Sequence, residues 1–375
     1  MKTVEVASPE AAERIALTDF SLGLFRESLN EEGNTVISPY SVMFALAMTA
    51  NGAEGETLAQ MEKVLGLPVD RLNCVLKAEM ETDDAQLKLA NGIWVNQTSQ
   101  FEANPDLLAL NAEVYGAEIV KAPFQQSTAE EINRWVKEKT AGRVPEILDM
   151  VPEEAVMYLV NALAFDGDWA EPYQAHQVEE GTFTEADGKT DTVEYMYGQE
   201  FCYLADEKAE GFLKYYDGSR YAFAALLPEE GTALKDYVCG LTGRRLQQLL
   251  DFSQDVPVCT ALPKFTSKYG LEMSGALQAL GMTDAFDRER ADFSRLGTVP
   301  PEYTLSISRV LHKAFVAVNE KGTEAGAATV VEMVMEGALP EPEEVKEVYL
   351  MRPFLWMILD LETQLPVFMG TVESF

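Results

Sequence analysis

The stretch from residue 320 to 336, Glu-Lys-Gly-Thr-Glu-Ala-Gly-Ala-Ala-Thr-Val-Val-Glu-Met-Val-Met-Glu, constrains this chain more than any other. Read every second residue from Thr323, it gives Thr323, Ala325, Ala327, Thr329, Val331 and Met333, a set without charge, while the alternate set carries Glu324 and Glu332. Successive side chains of an extended chain point to opposite faces, so this is the pattern of a strand with one buried face. Yet Ala-Gly-Ala-Ala at 325–328 has weak strand propensity and little side chain to bury. Small residues suit a backbone that must slide between two existing strands without displacing packed side chains. Gly322 offers a pivot of unrestricted φ at the entrance. Downstream, Pro340-Glu341-Pro342-Glu343-Glu344 is charged and proline-rich, as an exposed loop would be. The segment is therefore suited to two states, exposed loop and buried strand. Without other motifs, a small-residue strand beside a solvated acidic turn explains it at least as well.

The rest of the chain supplies the context. Apolar periodicity predicts helices over Glu10–Leu29, from Pro39 to Asn51-Gly52, over Thr57–Leu65 and over Thr128–Thr140. Ser38 and Pro39 suit the cap and first position of the second helix, Gly66 and Gly142 suit ends, and Thr128 with Glu131 suits a capping box. Strands are predicted over Leu87–Val95, Met157–Phe165, Tyr221–Leu227, Val256–Phe265, Phe315–Asn319, Phe354–Leu361 and Leu365–Thr371. Helical interruptions fall near Leu234–Leu250 and Leu271–Gly281. Helices first and strands later is an α+β order rather than an alternating βαβ one. No linker or repeat divides the 375 residues, which points to one domain over 1–375.

Composition excludes more than it assigns. With 29 basic residues against 62 acidic ones, a net charge of −33, the chain repels phosphate backbones, and its densest basic cluster is only Arg244-Arg245. Nucleic acid is thus not an expected partner, and the acidity reads first as solubility. Cys74, Cys202, Cys239 and Cys259 are far apart, with no CxxC and no neighbouring His pair, so no disulfide scaffold or zinc site is expected; buried thiols are. With His176 and His312 the only histidines, HExxH is impossible, and GxSxG, P-loop and GxGxxG patterns are absent, which argues against an enzyme and against a cofactor or metal. No run approaches a membrane span, and the N-terminus shows no signal-peptide apolar stretch.

Eight short motifs or motif pairs then appear in order. They are Val36–Val42 (Val-Ile-Ser-Pro-Tyr-Ser-Val); Asn51-Gly-Ala-Glu-Gly-Glu-Thr57; Ile132-Asn-Arg-Trp-Val136 with Thr140-Ala-Gly-Arg143; Leu159-Val-Asn-Ala162 with Phe165-Asp-Gly-Asp-Trp169; Leu262-Pro-Lys-Phe265; His312-Lys-Ala314; Glu320–Ala328; and Pro353-Phe354 with Phe368-Met-Gly370. Over about residues 20–372 the chain resembles the serpins, inhibitors of serine proteases. Asp166, where the family usually has lysine, and the ending at Phe375 without its usual proline are departures, and neither touches the hinge.

The resemblance implies the serpin fold: helices packed on a large central β-sheet with smaller sheets, and an exposed reactive-centre loop over about 320–346. It implies a suicide substrate. A protease cuts the loop, forms an acyl-enzyme, and is trapped covalently as the loop inserts into the main sheet; serpin insertion is a recognised case of stored strain released. The hinge would be Glu320, Gly322, Thr323, Ala325, Gly326, Ala327 and Ala328, whose small residues match inhibitory members rather than non-inhibitory carriers and chaperones, the alternative. A large or charged residue at Thr323 would stall insertion with the fold intact.

Counting from Glu320 by the usual hinge length places the cut at Glu336–Gly337. A loop one residue shorter places it at Met335–Glu336, which suits elastase-like or chymotrypsin-like pockets. Ser38, Asn161 and His312 would form the central polar cluster holding the sheet closed. Lys264 would pair with Glu320 beside Trp169 at the entrance. Heparin-type activation is not expected, because the segment Asp70–Lys88, where some members are basic, holds Glu79, Glu81, Asp83 and Asp84. The partner implied is the target serine protease, with no membrane and the inhibitor a monomer. The target class points to an extracellular setting, a native N-terminus to a cytoplasmic one. Asn96-Gln-Thr98 fits a glycosylation acceptor.

Overall fold

The computed structural model describes residues 3–30, 33–82, 85–151, 155–323 and 345–375. The bond candidates Glu336–Gly337 and Met335–Glu336, and hinge positions Ala325, Gly326, Ala327 and Ala328, lie outside the described residues.

Among the described residues, six helices dominate the first part of the chain, interleaved with strands: α1 (Ala11–Glu27), α2 (Pro39–Ala50), α3 (Gly55–Leu65), α4 (Val69–Met80), α5 (Pro105–Tyr115) and α6 (Gln126–Lys139). Later ones are α7 (Leu234–Gly240), α8 (Gly243–Asp251) and α9 (Ser274–Ala279). The early strands are β1 (Val36–Ile37), β2 (Leu87–Asn96), β3 (Glu102–Ala103), β4 (Glu118–Ala122), β5 (Met157–Phe165), β6 (Gly167–Asp168), β7 (Val178–Thr184), β8 (Thr190–Glu200), β9 (Cys202–Ala205) and β10 (Ala209–Tyr215). They are followed by β11 (Tyr221–Pro228), β12 (Val258–Pro263), β13 (Phe265–Glu272), β14 (Gly297–Thr298), β15 (Leu311–Val318), β16 (Gly322–Thr323), β17 (Lys346–Tyr349), β18 (Phe354–Asp360) and β19 (Leu365–Val372). This is the expected α+β order.

The chain divides into two compact units. One comprises Met1–Leu29, Ile37–Ala164 and Lys268–Phe315; the other comprises Asn30–Val36, Phe165–Ser267 and Val316–Phe375.

In the first unit, α2 is buried along nearly its whole length, as a helix apolar on every side must be. Ser38 caps it as expected, its hydroxyl accepting from the Ser41 N–H at 3.1 Å, with Pro39 at the first position. α3 ends at Gly66 with φ +88, and any Cβ there would also press on the Ala16 carbonyl at 3.0 Å. The three-stranded sheet runs β4-β2-β5. Ile132 and Val136 of α6 share a core with Trp94 of β2 and Val160 and Ala162 of β5, and Trp135 meets Trp94 edge-on at 5.1 Å. α6 begins earlier than predicted, at Gln126. Thr128 lies inside it and donates back to the Pro123 carbonyl at 2.5 Å rather than capping. Helices α4 and α5 had no counterpart in the periodicity.

In the second unit, β11, β18 and β19 are buried at every residue and form the middle of a sheet ordered β1-β19-β18-β11-β10-β9. Phe223 of β11 stacks on Trp356 of β18 at 5.9 Å, and Gly370 is glycine because a Cβ would lie 2.4 Å from that indole. A second sheet runs β17-β12-β8-β7. The predicted strand Val256–Phe265 breaks at Lys264, between β12 and β13, where the Lys264 N–H donates to the Glu194 carbonyl at 2.8 Å.

Two expectations change. Of the four cysteines, none in a disulfide, only Cys202 is buried, while Cys239 is exposed. Asn96 is buried, with its amide donating to the Ala155 carbonyl at 2.9 Å, so the Asn96–Thr98 triplet does not present an accessible acceptor.

Candidate functional site: two polar clusters and a paired hinge

The first cluster lies in the first unit. The Ser38 N–H donates to Nε2 of His312 at 3.0 Å, which requires that nitrogen to be unprotonated. The Ser41 N–H reaches the Ser38 hydroxyl, and the Ser41 hydroxyl donates to Oδ1 of Asn161. The Asn161 amide donates to Oδ1 of Asn91 at 2.9 Å, and Asn91 in turn to the Tyr115 carbonyl at 2.8 Å. Ser38, Asn161 and His312 are thus joined, but through Ser41, which the sequence reading did not single out, and onward to Asn91, likewise unforeseen. Ser41 could have been found, being one helical turn after Ser38. Asn91 carried no signal beyond a polar residue in a strand. Burial pulls the His312 imidazole down to about 4, so it is neutral at pH 7. No nucleophile is activated here; the cluster satisfies buried polar groups.

The second cluster lies in the second unit, where Asn319–Gly322 turns β15 into β16. The Asn319 N–H donates to the Gly322 carbonyl at 3.0 Å, and the Asn319 side-chain oxygen accepts from the Lys321 N–H at 2.9 Å. β16 is already a strand, with Thr323 opposite Val318 of β15 on one side and Gly167 of β6 on the other, and Gly322 opposite Asp168. Thr323 is 1% exposed and its hydroxyl lies 2.5 Å from that of Tyr216, whose phenol burial pushes far up. Thr323 is therefore already paired within the sheet rather than waiting outside it. The role of Gly322 also changes. Its φ is not positive; it is glycine because a Cβ would stand 2.1 Å from the Gly167 carbonyl oxygen.

Lys264 and Glu320 do meet, at 3.0 Å, and Lys264 also faces Glu194 at 3.6 Å. The Glu320 backbone N–H, and then the Lys264 ammonium, hold the Glu320 carboxyl below its usual range. Trp169 is buried beside them. Its indole N–H donates to the Asn319 carbonyl at 2.9 Å, its backbone N–H to the Lys321 carbonyl at 2.8 Å, and its ring stacks on Tyr216 at 4.4 Å. Tyr216 is the residue of this cluster that sequence reasoning missed, because only the fold brings it to Thr323.

Among the described residues no group of His, Cys, Asp and Glu is placed to hold a metal ion, and no helix is long and apolar enough to cross a membrane.

The family model described as Serpin (serine protease inhibitor) matches residues 15–375. Leukocyte elastase inhibitor A of Mus musculus is 33% identical over 385 residues, covering 96% of this chain and 98% of that protein. The thermophilic serpin tengpin, solved in its native state, superimposes with a TM-score of 0.91 at 42% identity, over 99% of this chain and 96% of that one. The same protein in its latent state gives a TM-score of 0.86 at 38% identity, over 99% and 100%.

Proposed function

The chain belongs to the serpin family of protease inhibitors, and from that premise we propose that it acts, as a single domain, as an irreversible suicide-substrate inhibitor of serine proteases. The observation that carries this reading is the hinge. Gly322 and Thr323 occupy a strand position between β15 and β6, and the residues that follow are small, uncharged on one alternating face, and long enough to continue that strand. A chain arranged this way needs one event, release of its far end, to extend the sheet.

The protease's serine attacks the carbonyl of Glu336, or of Met335. The peptide C–N bond breaks, the new amine leaves with a proton, and the loop remains esterified to the enzyme. Insertion then competes with hydrolysis of that ester. The small run Ala325, Gly326, Ala327 and Ala328 lets backbone enter without moving neighbours. Lys264 with Glu320, and the neutral Ser38–His312–Asn161 network, hold the closed arrangement beforehand. A cut at Met335–Glu336, with apolar Met335 before the bond and Val334 ahead of it, favours elastase-like or chymotrypsin-like targets, whereas a cut at Glu336–Gly337 calls for a protease that prefers acidic residues.

The test is incubation with a panel of such proteases. The expected result is an SDS-resistant complex, a released C-terminal fragment whose mass begins at Gly337 or Glu336, and a large rise in melting temperature of the cleaved chain. Cleavage without complex and without a melting shift would instead assign the chain to the non-inhibitory carriers or chaperones.

A further inference from the structure

An ammonium group in a protein interior is costly unless its donors are used and its charge is met. Lys214, on β10, is such a group, with its side chain 4% exposed. Its Nζ donates to Oε1 of Glu200 at 2.8 Å and to the Glu171 carbonyl at 3.1 Å. It also lies 4.3 Å from the centre of the Tyr173 ring and 5.4 Å from that of Trp169. Three of these four partners belong to the segment Trp169–Tyr173.

That same segment grips the turn leading into the hinge. Trp169 donates from its backbone to the Lys321 carbonyl and from its indole to the Asn319 carbonyl, and the Tyr173 N–H donates to the Glu320 carbonyl at 2.8 Å. Two residues beyond Lys214, Tyr216 stacks on Trp169 and reaches Thr323. An apolar side chain at 214 could fill the space, but it could not hold the Glu171 carbonyl or fix the tilt of two aromatic rings. Buried ion pairs are weak sources of stability; their best-attested use is to specify register.

We propose that Lys214, paired with Glu200, is a positioning residue for loop insertion: by clamping Trp169–Tyr173 it keeps Glu320–Thr323 aligned between β15 and β6, so that a severed loop extends an existing strand without searching for its start. This deepens, and rests on, the inhibitory reading above.

The experiment compares the parent chain with K214M/E200L, which replaces the pair by apolar residues, and with E200Q, which keeps the shape and removes the charge. Three quantities are read against one protease that forms complex with the parent: moles of inhibitor consumed per mole of protease inactivated, the rate of loop cleavage, and the melting temperature. A merely structural pair would move only the last. The expected result for K214M/E200L is a consumption ratio raised at least about threefold, as cleaved but uncomplexed chain accumulates. The cleavage rate should match that of the parent, and the melting temperature should lie within about 3 °C of it. E200Q should shift the ratio in the same direction, and it decides the matter alone if the double variant does not fold. A ratio equal to that of the parent in the folded variants overturns the proposal. A parent that forms no complex with any protease overturns the inhibitory reading instead.

Discussion

The hydroxyl of Tyr216 lies 2.5 Å from the hydroxyl of Thr323, and both side chains are buried. The bond ties Thr323, the second residue of β16, to the ring that stacks on Trp169. Replacing Tyr216 by Phe leaves the threonine hydroxyl buried without this partner, at a cost of about 1–3 kcal/mol. Removing both hydroxyls in Y216F/T323V should recover most of that loss. Urea unfolding of the two singles and the double measures the coupling; additive losses would mean the two groups do not interact.

Thr323→Arg is expected to act on the native state first. With Thr323 1% exposed, the substitution buries an unpaired guanidinium, and the expected destabilisation is about 3–5 kcal/mol. The resemblance to the serpins implied that the fold would tolerate this change; the pairing of Thr323 removes that expectation. A melting temperature equal to the parent's would place residue 323 outside the sheet in solution.

Gly322→Ala tests the close approach of β16 to β6. The added Cβ would meet the Gly167 carbonyl oxygen at 2.1 Å, where only backbone can yield. A loss of about 1–3 kcal/mol is expected, together with faster hydrogen exchange of the Thr323 amide. An alanine variant as stable as the parent would show that the two strands are not in register at Gly322.

His312 makes stability depend on pH in a definite direction. Its folded value of about 4 lies below the ordinary 6.5. Between those limits the unfolded chain binds a proton that the folded chain refuses. The contribution is fully present above pH 6.5 and is lost progressively as the pH falls towards 4, on the order of 3 kcal/mol. The measurement is the urea midpoint at pH 7 and pH 4.5 in the parent and in His312→Gln. The parent should lose more than the variant, and equal losses would refute the assignment.

Lys264→Ala should change stability by only about 0–1 kcal/mol, because its partner Glu320 is 38% exposed and water screens the pair. Since Glu320 titrates low, what stability it adds is present above its ordinary range and lost as the pH falls below it. A loss of several kcal/mol would mean that Lys264 is buried in solution.

Local features of the fold were legible wherever a short stretch carried its own physics. The Ser38-Pro39 start of α2, the Gly66 end of α3 and the apolar run of β5 needed no distant partner to be read. α4 and α5 escaped notice, and the Thr128 capping box misled, because a plausible local pattern says nothing about which turn the helix begins on. The Ser38, Asn161 and His312 cluster was legible as a set through resemblance. Its wiring through Ser41 and on to Asn91 was not, since hydrogen bonds spanning 120 and 70 residues leave no trace in spacing.

What the chain's order of residues determined by itself was periodicity and size: where apolar faces recur, where only small side chains occur, and hence which segment combines strand alternation with small side chains. Only the tertiary structure decided that Thr323 is already paired, that Gly322 is glycine for closeness rather than for φ, and that Lys214 and Glu200 meet beside Trp169. Those outcomes depend on which strands become neighbours. Neighbours are chosen by burial summed over the whole unit, not by any run of adjacent residues.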